Sequence, residues 1–212
     1  MGRTGAAKPS YAEATTHLRD LDPVWERIVE AVGECRLLDR RRATNFEFLV
    51  RALVGQQISV AAAASIFERL CGLLGGAPSP EALLAVDEEA LRGVGLSRPK
   101  ASYLRDLAIA ATAGDLDLEA VEGMSDVEML AGLTAIRGIG VWTAEVFMAL
   151  QLGRPDVLPA GDGGLQRAVQ QAWNLPERPG EQAVRELAEP WRPWRSVATW
   201  YLWGSLQVEL PA

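Results

Sequence analysis

Apolar residues recur at helical spacing along almost the whole chain, and no segment carries the apolar–polar alternation of a half-buried strand. That pattern restricts the chain to an all-α fold. Val60, Ala64, Phe67, Leu70 and Cys71 share one face of a helix predicted over 58–74, and Leu104, Leu107, Ala108 and Ala111 share one over 100–113. Pro78-Ser79-Pro80 starts a further helix that continues over 81–91. Others are expected over 46–53, 141–150, 166–173, 179–191 and 195–206. Over 125–135, Ser125 stands as N-cap with Glu128 three residues on, the spacing of a capping box.

The 212 residues suffice to bury a core without disulfide or metal staples. Cys35 and Cys71 are the only cysteines, and they form no Cys-x-x-Cys pair, so a structural zinc site or an iron–sulfur cluster lacks ligands. His17, the single histidine, stands outside any motif and argues against histidine catalysis. The first ten residues read as a mobile tail without a signal-peptide core, and no run of about 18 apolar residues occurs, so a cytoplasmic protein with no membrane partner is expected. The 28 acidic residues outnumber the 21 basic ones, for a net charge of −7. This weighs against a protein that wraps DNA by charge, but not against one that grips a few phosphates with backbone amides.

One short pattern occurs twice. Leu91-Arg92-Gly93-Val94-Gly95-Leu96 echoes Ile136-Arg137-Gly138-Ile139-Gly140-Val141, each between two helices. The first copy reads equally well as an ordinary Gly-rich connection. The second lies in the longer run Leu133 to Ala144. Two glycines flanking Ile139 allow a tight turn with positive φ, and Ile139 can plug the core between the helices. The helix that follows then turns its N-terminal amides and positive dipole end toward any anion. Gly-x-Gly alone, however, describes any Gly-terminated pair of helices. Downstream, the Gly/Pro-rich loop Asp156-Val157-Leu158-Pro159-Ala160-Gly161 leads into Asp162, which on its own reads as the N-cap of the next helix.

In combination these motifs resemble the helix-hairpin-helix DNA glycosylase superfamily. The resemblance rests on the 133–144 run and on Asp162, 22 residues after Gly140 (162 minus 140). Gly55-Gln56-Gln57-Ile58-Ser59 and the stretch Trp191 to Ala198 with Trp200 and Trp203 narrow it to the bacterial 3-methyladenine DNA glycosylase II type. The motifs span Phe46 to Trp203, most of the chain.

The resemblance implies a two-lobed all-α fold, with no room for the extra N-terminal β-domain of longer members. A central lobe over 43–150 would hold the hairpin, and 1–42 with 151–212 would form the other. It implies duplex DNA with alkylated bases as partner, hydrolysis of the N-glycosidic bond, and a monomer. Asp162 becomes the catalytic carboxylate, set to stabilise the positive charge that develops on the sugar. Trp142, Trp203 and Val146 fall at base-pocket positions, although core packing is the ordinary use of a tryptophan. Val146 stands where some members have tyrosine, which implies a more open pocket. Gly138, Ile139, Gly140 and Thr143 fall at the DNA-binding hairpin. Gln57 takes the position of the residue that fills the gap left by a flipped base, unless it is only a loop glutamine. Arg195 reads as a phosphate contact or, with Arg192, as an ion-pair partner of Glu186 or Glu189. The family needs no cofactor for its chemistry, but binds a Na+ or K+ ion through hairpin carbonyls, here those of Thr134, Ile136 and Ile139. Members that also cut the strand carry a lysine where this chain has Trp142, and the only lysines here are Lys8 and Lys100. That disfavours the bifunctional glycosylase/lyase, one of two alternatives; the other is a helix-hairpin-helix module that binds DNA without catalysis.

Overall fold

The computed structural model describes residues 11–37, 43–114, 118 and 120–209, and these contain helices and turns but no strand. The tail expected over residues 1–10, with Lys8, lies outside the described residues. The chain divides into two compact units: a central one, Arg41–Leu152, and a terminal one that combines Met1–Arg40 with Gly153–Ala212.

The central unit contains α3 (Asn45–Gly55), α4 (Val60–Leu74), α5 (Pro80–Ala85), α6 (Glu88–Gly93), α7 (Arg98–Ala113), α8 (Asp126–Ala135) and α9 (Val141–Val146). Its core is aliphatic. Leu49 and Leu53 of α3, Leu70 of α4, Leu83 of α5 and Leu104 and Leu107 of α7 are fully buried, each contributing about 1.5–3 kcal/mol. The terminal unit contains α1 (Tyr11–Leu21), α2 (Pro23–Val32), α10 (Gly163–Ala172), α11 (Glu181–Leu187) and α12 (Arg195–Ser205). Its core is aromatic: Trp25, fully buried, presents edge contacts to Trp173 and Trp191 at centroid distances of 5.6 and 5.2 Å. No helix among the described residues is long and apolar enough to cross a membrane.

Helix starts follow the sequence. Thr44, Ser59, Ser79, Asp87, Ser97 and Ser125 each accept an amide N–H from the first turn of the helix they precede, worth about 1 kcal/mol apiece. Three expected helices differ. The one over 81–91 breaks, because the Asp87 side chain accepts from Ala90 N at 2.7 Å and opens a new helix there, with Val86 extended. The one over 179–191 ends at Leu187, and Pro190, with no N–H to give, lies in a 3-10 turn over Glu189–Trp191. The one over 141–150 widens to a π-helix over Phe147–Leu152. There the buried Gln151 donates from Nε2 to Ala43 O and Asn45 Oδ1, both at 3.0 Å.

Candidate active site

Asp162 caps α10 with extended backbone (φ −70, ψ 122), and its Oδ1 accepts two hydrogen bonds, from Leu165 N at 2.6 Å and Trp203 Nε1 at 2.8 Å. The first fixes the carboxylate at the positive end of the helix dipole. The second ties it to α12. Gly164 makes room for both, since a Cβ there would stand 3.0 Å from Asp162 Oδ1 and 3.6 Å from Trp203 Nε1. The loop before Asp162 is closed by its own backbone: Asp162 N donates to Pro159 O at 2.8 Å, and Gln166 Nε2 donates to Ala160 O at 3.0 Å.

The other end of that loop is also held by α12. Arg195 donates from Nε to Asp156 Oδ1 at 2.7 Å, and from Nη2 to Asp156 O at 2.7 Å and to Oδ2 at 3.1 Å. Its side chain is only 13% exposed. Ser196, buried, accepts from Val157 N at 3.0 Å and donates to Val157 O at 3.1 Å. Arg192 adds a bond to Asp156 Oδ2 at 2.6 Å and pairs with Glu189 at 3.0 Å. One helix therefore anchors both ends of the loop, through Arg195 and Ser196 at its start and Trp203 near its end. Of the two expected ion-pair partners, Glu189 pairs with Arg192 and lies 3.8 Å from Arg195, while Glu186 accepts from Gln182; Asp156 is a third partner, shared by both arginines and the main one of Arg195. The Arg195 side chain is turned onto the 156–162 loop.

The hairpin lies in the central unit. Gly138 has φ +94, and a Cβ there would lie 2.6 Å from Tyr103 Cδ2 and 2.8 Å from its Cβ, so both conformation and packing exclude a side chain. Gly140 departs from the expected positive φ. At φ −90, ψ 173 it is the extended N-cap of α9, with nothing within 4 Å of where its Cβ would be and no side chain to cap the helix. The earlier echo has the opposite geometry, for there the second glycine, Gly95, takes the positive φ (+103) and the first lies in α6. Shared sequence has not given shared backbone. Ile139 is buried, as is Thr143. Arg137, exposed, pairs with Asp106 at 2.7 Å, donates to Ser102 Oγ and lies over the Tyr103 ring, fastening the turn to α7.

Of the candidate base-contacting residues on α9, Trp142 is 43% exposed and Val146 half-buried. Of the three carbonyls suggested for a monovalent cation, two lie at the end of α8 and that of Ile139 lies in the turn before Gly140, the N-cap of α9. Thr134 occupies the last turn of α8 and Ile136 is its C-cap, and the Ile136 carbonyl accepts from Ile139 N at 3.0 Å.

Gln57, exposed between α3 and α4, has φ +60, a left-handed conformation that costs a non-glycine residue about 1–2 kcal/mol. It follows Gln56, whose Nε2 donates to Gly138 O at 3.0 Å and Thr143 Oγ1 at 3.3 Å. Lys100 donates from Nζ to Val54 O at 2.8 Å and Gln56 O at 2.6 Å, and burial lowers its pKa. Tyr103, Lys100, Gln56 and the Asp156–Arg195 pair were not assigned these functions from sequence. The only local signal was their nearness to motifs: Gln56 beside Gln57, and Asp156 at the start of the loop.

Residues 50–193 match the model of the HhH-GPD superfamily base excision DNA repair proteins. DNA-3-methyladenine glycosylase 1 of Schizosaccharomyces pombe is 35% identical over 203 residues, 94% of this chain and 89% of that protein. The structure of S. pombe 3-methyladenine DNA glycosylase (Mag1) in complex with abasic DNA is similar at a TM-score of 0.85 and 33% identity, covering 93% of this chain and 98% of that one. That of a DNA-3-methyladenine glycosidase from Bacillus halodurans is similar at 0.81 and 38% identity, covering 92% and 88%. The hairpin, the carboxylate at the head of α10 and matches of this extent agree: the chain belongs to the helix-hairpin-helix superfamily of base excision DNA repair proteins.

Proposed function

We propose that this protein is a monofunctional DNA glycosylase that hydrolyses the N-glycosidic bond of alkylated bases of the 3-methyladenine type and leaves an abasic site. The observation that carries the reading is the doubly anchored carboxylate of Asp162. As the bond between C1′ and the base nitrogen breaks, its electron pair leaves with the base and positive charge grows on the sugar. A fixed anion in place before the reaction stabilises that charge without reorganising. Water then bonds to C1′ and releases its proton to solvent. A methylated purine already carries positive charge and departs neutral, so the reaction needs no strong acid.

Base flipping is the general way such enzymes reach their target. In this assignment Trp142 offers an aromatic face to the cationic base, Trp203 orients the carboxylate, and Val146 leaves space. Gln57 fills the stack after flipping, in keeping with its exposed and strained backbone. The extended, uncapped start of α9 at Gly140 receives a phosphate, which allows a chain of net charge −7 to bind duplex DNA. Thr134, Ile136 and Ile139 would hold a Na+ or K+ ion, whose positive charge would favour that phosphate. Strand cleavage through a Schiff base is disfavoured: Trp142 stands where bifunctional relatives have lysine, and Lys100 is tied to two carbonyls.

The test is release of methylated base from alkylated duplex DNA by wild type and Asp162→Asn. Release by wild type with a loss of about two orders of magnitude or more in the variant is expected. Equal rates would remove Asp162 from the mechanism, and no release by wild type would favour the non-enzymatic module.

A further inference from the structure

Lys100 takes no part in the chemistry above, yet its ammonium makes two hydrogen bonds. It rises from the first turn of α7 to the end of α3, where it donates to Val54 O and Gln56 O. The last carbonyls of a helix lack partners within it, and a cation is the natural donor there. Capping alone would end at that point. The network goes on: the backbone of Gln56 is held by Lys100, while its side chain donates to Gly138 O in the hairpin turn and to Thr143 Oγ1 on α9. The next residue is Gln57, in its left-handed conformation, followed by exposed Ile58. Two segments far apart in sequence, the 56–59 loop and the 136–143 hairpin, thus share one hydrogen-bonded residue.

We propose that Lys100 and Gln56 are positioning residues that hold the Gln57 loop and the hairpin at a fixed spacing, so that insertion into the duplex and grip on its backbone occur as one event. The proposal rests on the glycosylase reading. A loop free to shift against the hairpin would insert at the entropic cost of being ordered anew each time, and the loss would fall on formation of the flipped complex. The protonated amine is suited to the task because three donors on a flexible stem can reach two carbonyls, and arginine's fork can do the same.

The experiment measures the affinity of the full chain for duplex DNA with a tetrahydrofuran abasic analogue, by fluorescence anisotropy. A 2-aminopurine beside the analogue reports unstacking. Lys100→Met, Lys100→Arg, Gln56→Ala and the double variant Lys100→Met/Gln56→Ala are compared at a temperature where circular dichroism shows each folded. Lys100→Met and Gln56→Ala should each weaken binding about tenfold and lower the 2-aminopurine signal at saturation. Lys100→Arg should recover to within about threefold of wild type, and the double variant should be no weaker than the worse single, as for members of one network. If Lys100→Met does not fold, Gln56→Ala carries the same test. Folded variants that bind and unstack as wild type does overturn the proposal, as do losses that arginine does not restore or that simply add. Failure of wild type to prefer the abasic duplex over undamaged duplex instead overturns the glycosylase reading.

Discussion

Gly138→Ala is the substitution whose cost can be worked most directly from the hairpin. Two effects act on the added methyl. At φ +94 an L-residue is strained by about 1–2 kcal/mol. The methyl also meets the Tyr103 ring, 2.6 Å from Cδ2 and 2.8 Å from Cβ, and the ring cannot withdraw without breaking its contact with the Arg137 guanidinium. Overpacking of this kind costs about 1–3 kcal/mol. The sum, about 2–5 kcal/mol, is a large part of a domain's stability. A second substitution separates the effects. Tyr103→Ala removes the overlap with the ring but keeps the 2.8 Å approach to Cβ and the backbone strain, so in that background Gly138→Ala should cost less than in wild type but more than the strain of about 1–2 kcal/mol. Urea unfolding of wild type, both singles and the double variant gives the four values, and a coupling of about 0.5–2 kcal/mol, the share of the overlap that belongs to the ring, is expected. A Gly138→Ala cost below about 0.5 kcal/mol would show that the turn relaxes freely, and a coupling of zero would show that Tyr103 is not what the methyl strikes.

Three further outcomes follow from the terminal unit. Trp203→Phe keeps an aromatic ring but deletes the N–H bonded to Asp162 Oδ1; a hydrogen bond to a charged group is worth about 1.5–3 kcal/mol, so single-turnover base release should slow by roughly tenfold or more, and an unchanged rate would make the ring alone its contribution. Arg195→Met leaves Asp156 with Arg192 as its remaining arginine partner; stability should fall by about 1.5–3 kcal/mol, and base release measured well below the melting temperature should slow as well, whereas a folded variant with wild-type release would disconnect the 156–162 loop from catalysis. Burial raises the pKa of the Tyr201 hydroxyl above its ordinary value of 10.0, against a smaller lowering by its hydrogen bond to Thr15. The folded state therefore holds the proton longer than the unfolded chain, so this contribution is complete below about pH 10 and is lost as pH rises through the folded pKa. Tyr201→Phe should cost about 1 kcal/mol at pH 8 but decline less steeply toward pH 11, and parallel urea midpoints for the two proteins would refute that assignment.

The parts of the fold that were legible in the sequence are those written in neighbouring residues. Ser125 and Glu128 form both bonds of their capping box, at 2.8 and 3.3 Å, because three residues of helix bring them together whatever surrounds them. The all-α class was readable for the same reason, since each helix declares its own period. Contacts between distant segments were not. Lys100 meets carbonyls 46 and 44 residues away, and Arg195 meets Asp156 across 39; no local pattern marks such a pair. The two glycines of the hairpin show the limit within a motif. Glycine permits a positive φ without requiring it: Gly138, packed against Tyr103, takes it, and Gly140, with nothing near its Cβ position, does not. Asp87 shows the converse, a local signal outweighed in reading by the apolar period around it, although its side chain was enough to end one helix and begin another.

Asp162 could be read from sequence either as a cap or as a catalyst, and the structure explains why the two are not rivals. The bond from Leu165 N that makes it an N-cap also fixes one carboxylate oxygen at the start of α10. A capping aspartate is thus already an oriented anion; what catalysis adds is a sugar placed against it. The two roles separate under substitution. Asparagine caps a helix about as well as aspartate, so Asp162→Asn should keep stability within about 0.5 kcal/mol of wild type while losing the anion. Alanine has no oxygen for Leu165 N or Trp203 Nε1, and Asp162→Ala should cost about 1 kcal/mol for the lost cap. Both should stop base release to a similar degree. Thermal unfolding and base release measured on the two variants then divide the roles: if Asp162→Asn were destabilised as far as Asp162→Ala, the charge itself would be holding the loop, and if Asp162→Asn kept its rate while Asp162→Ala lost it, the side chain would serve the reaction only by shaping the start of α10.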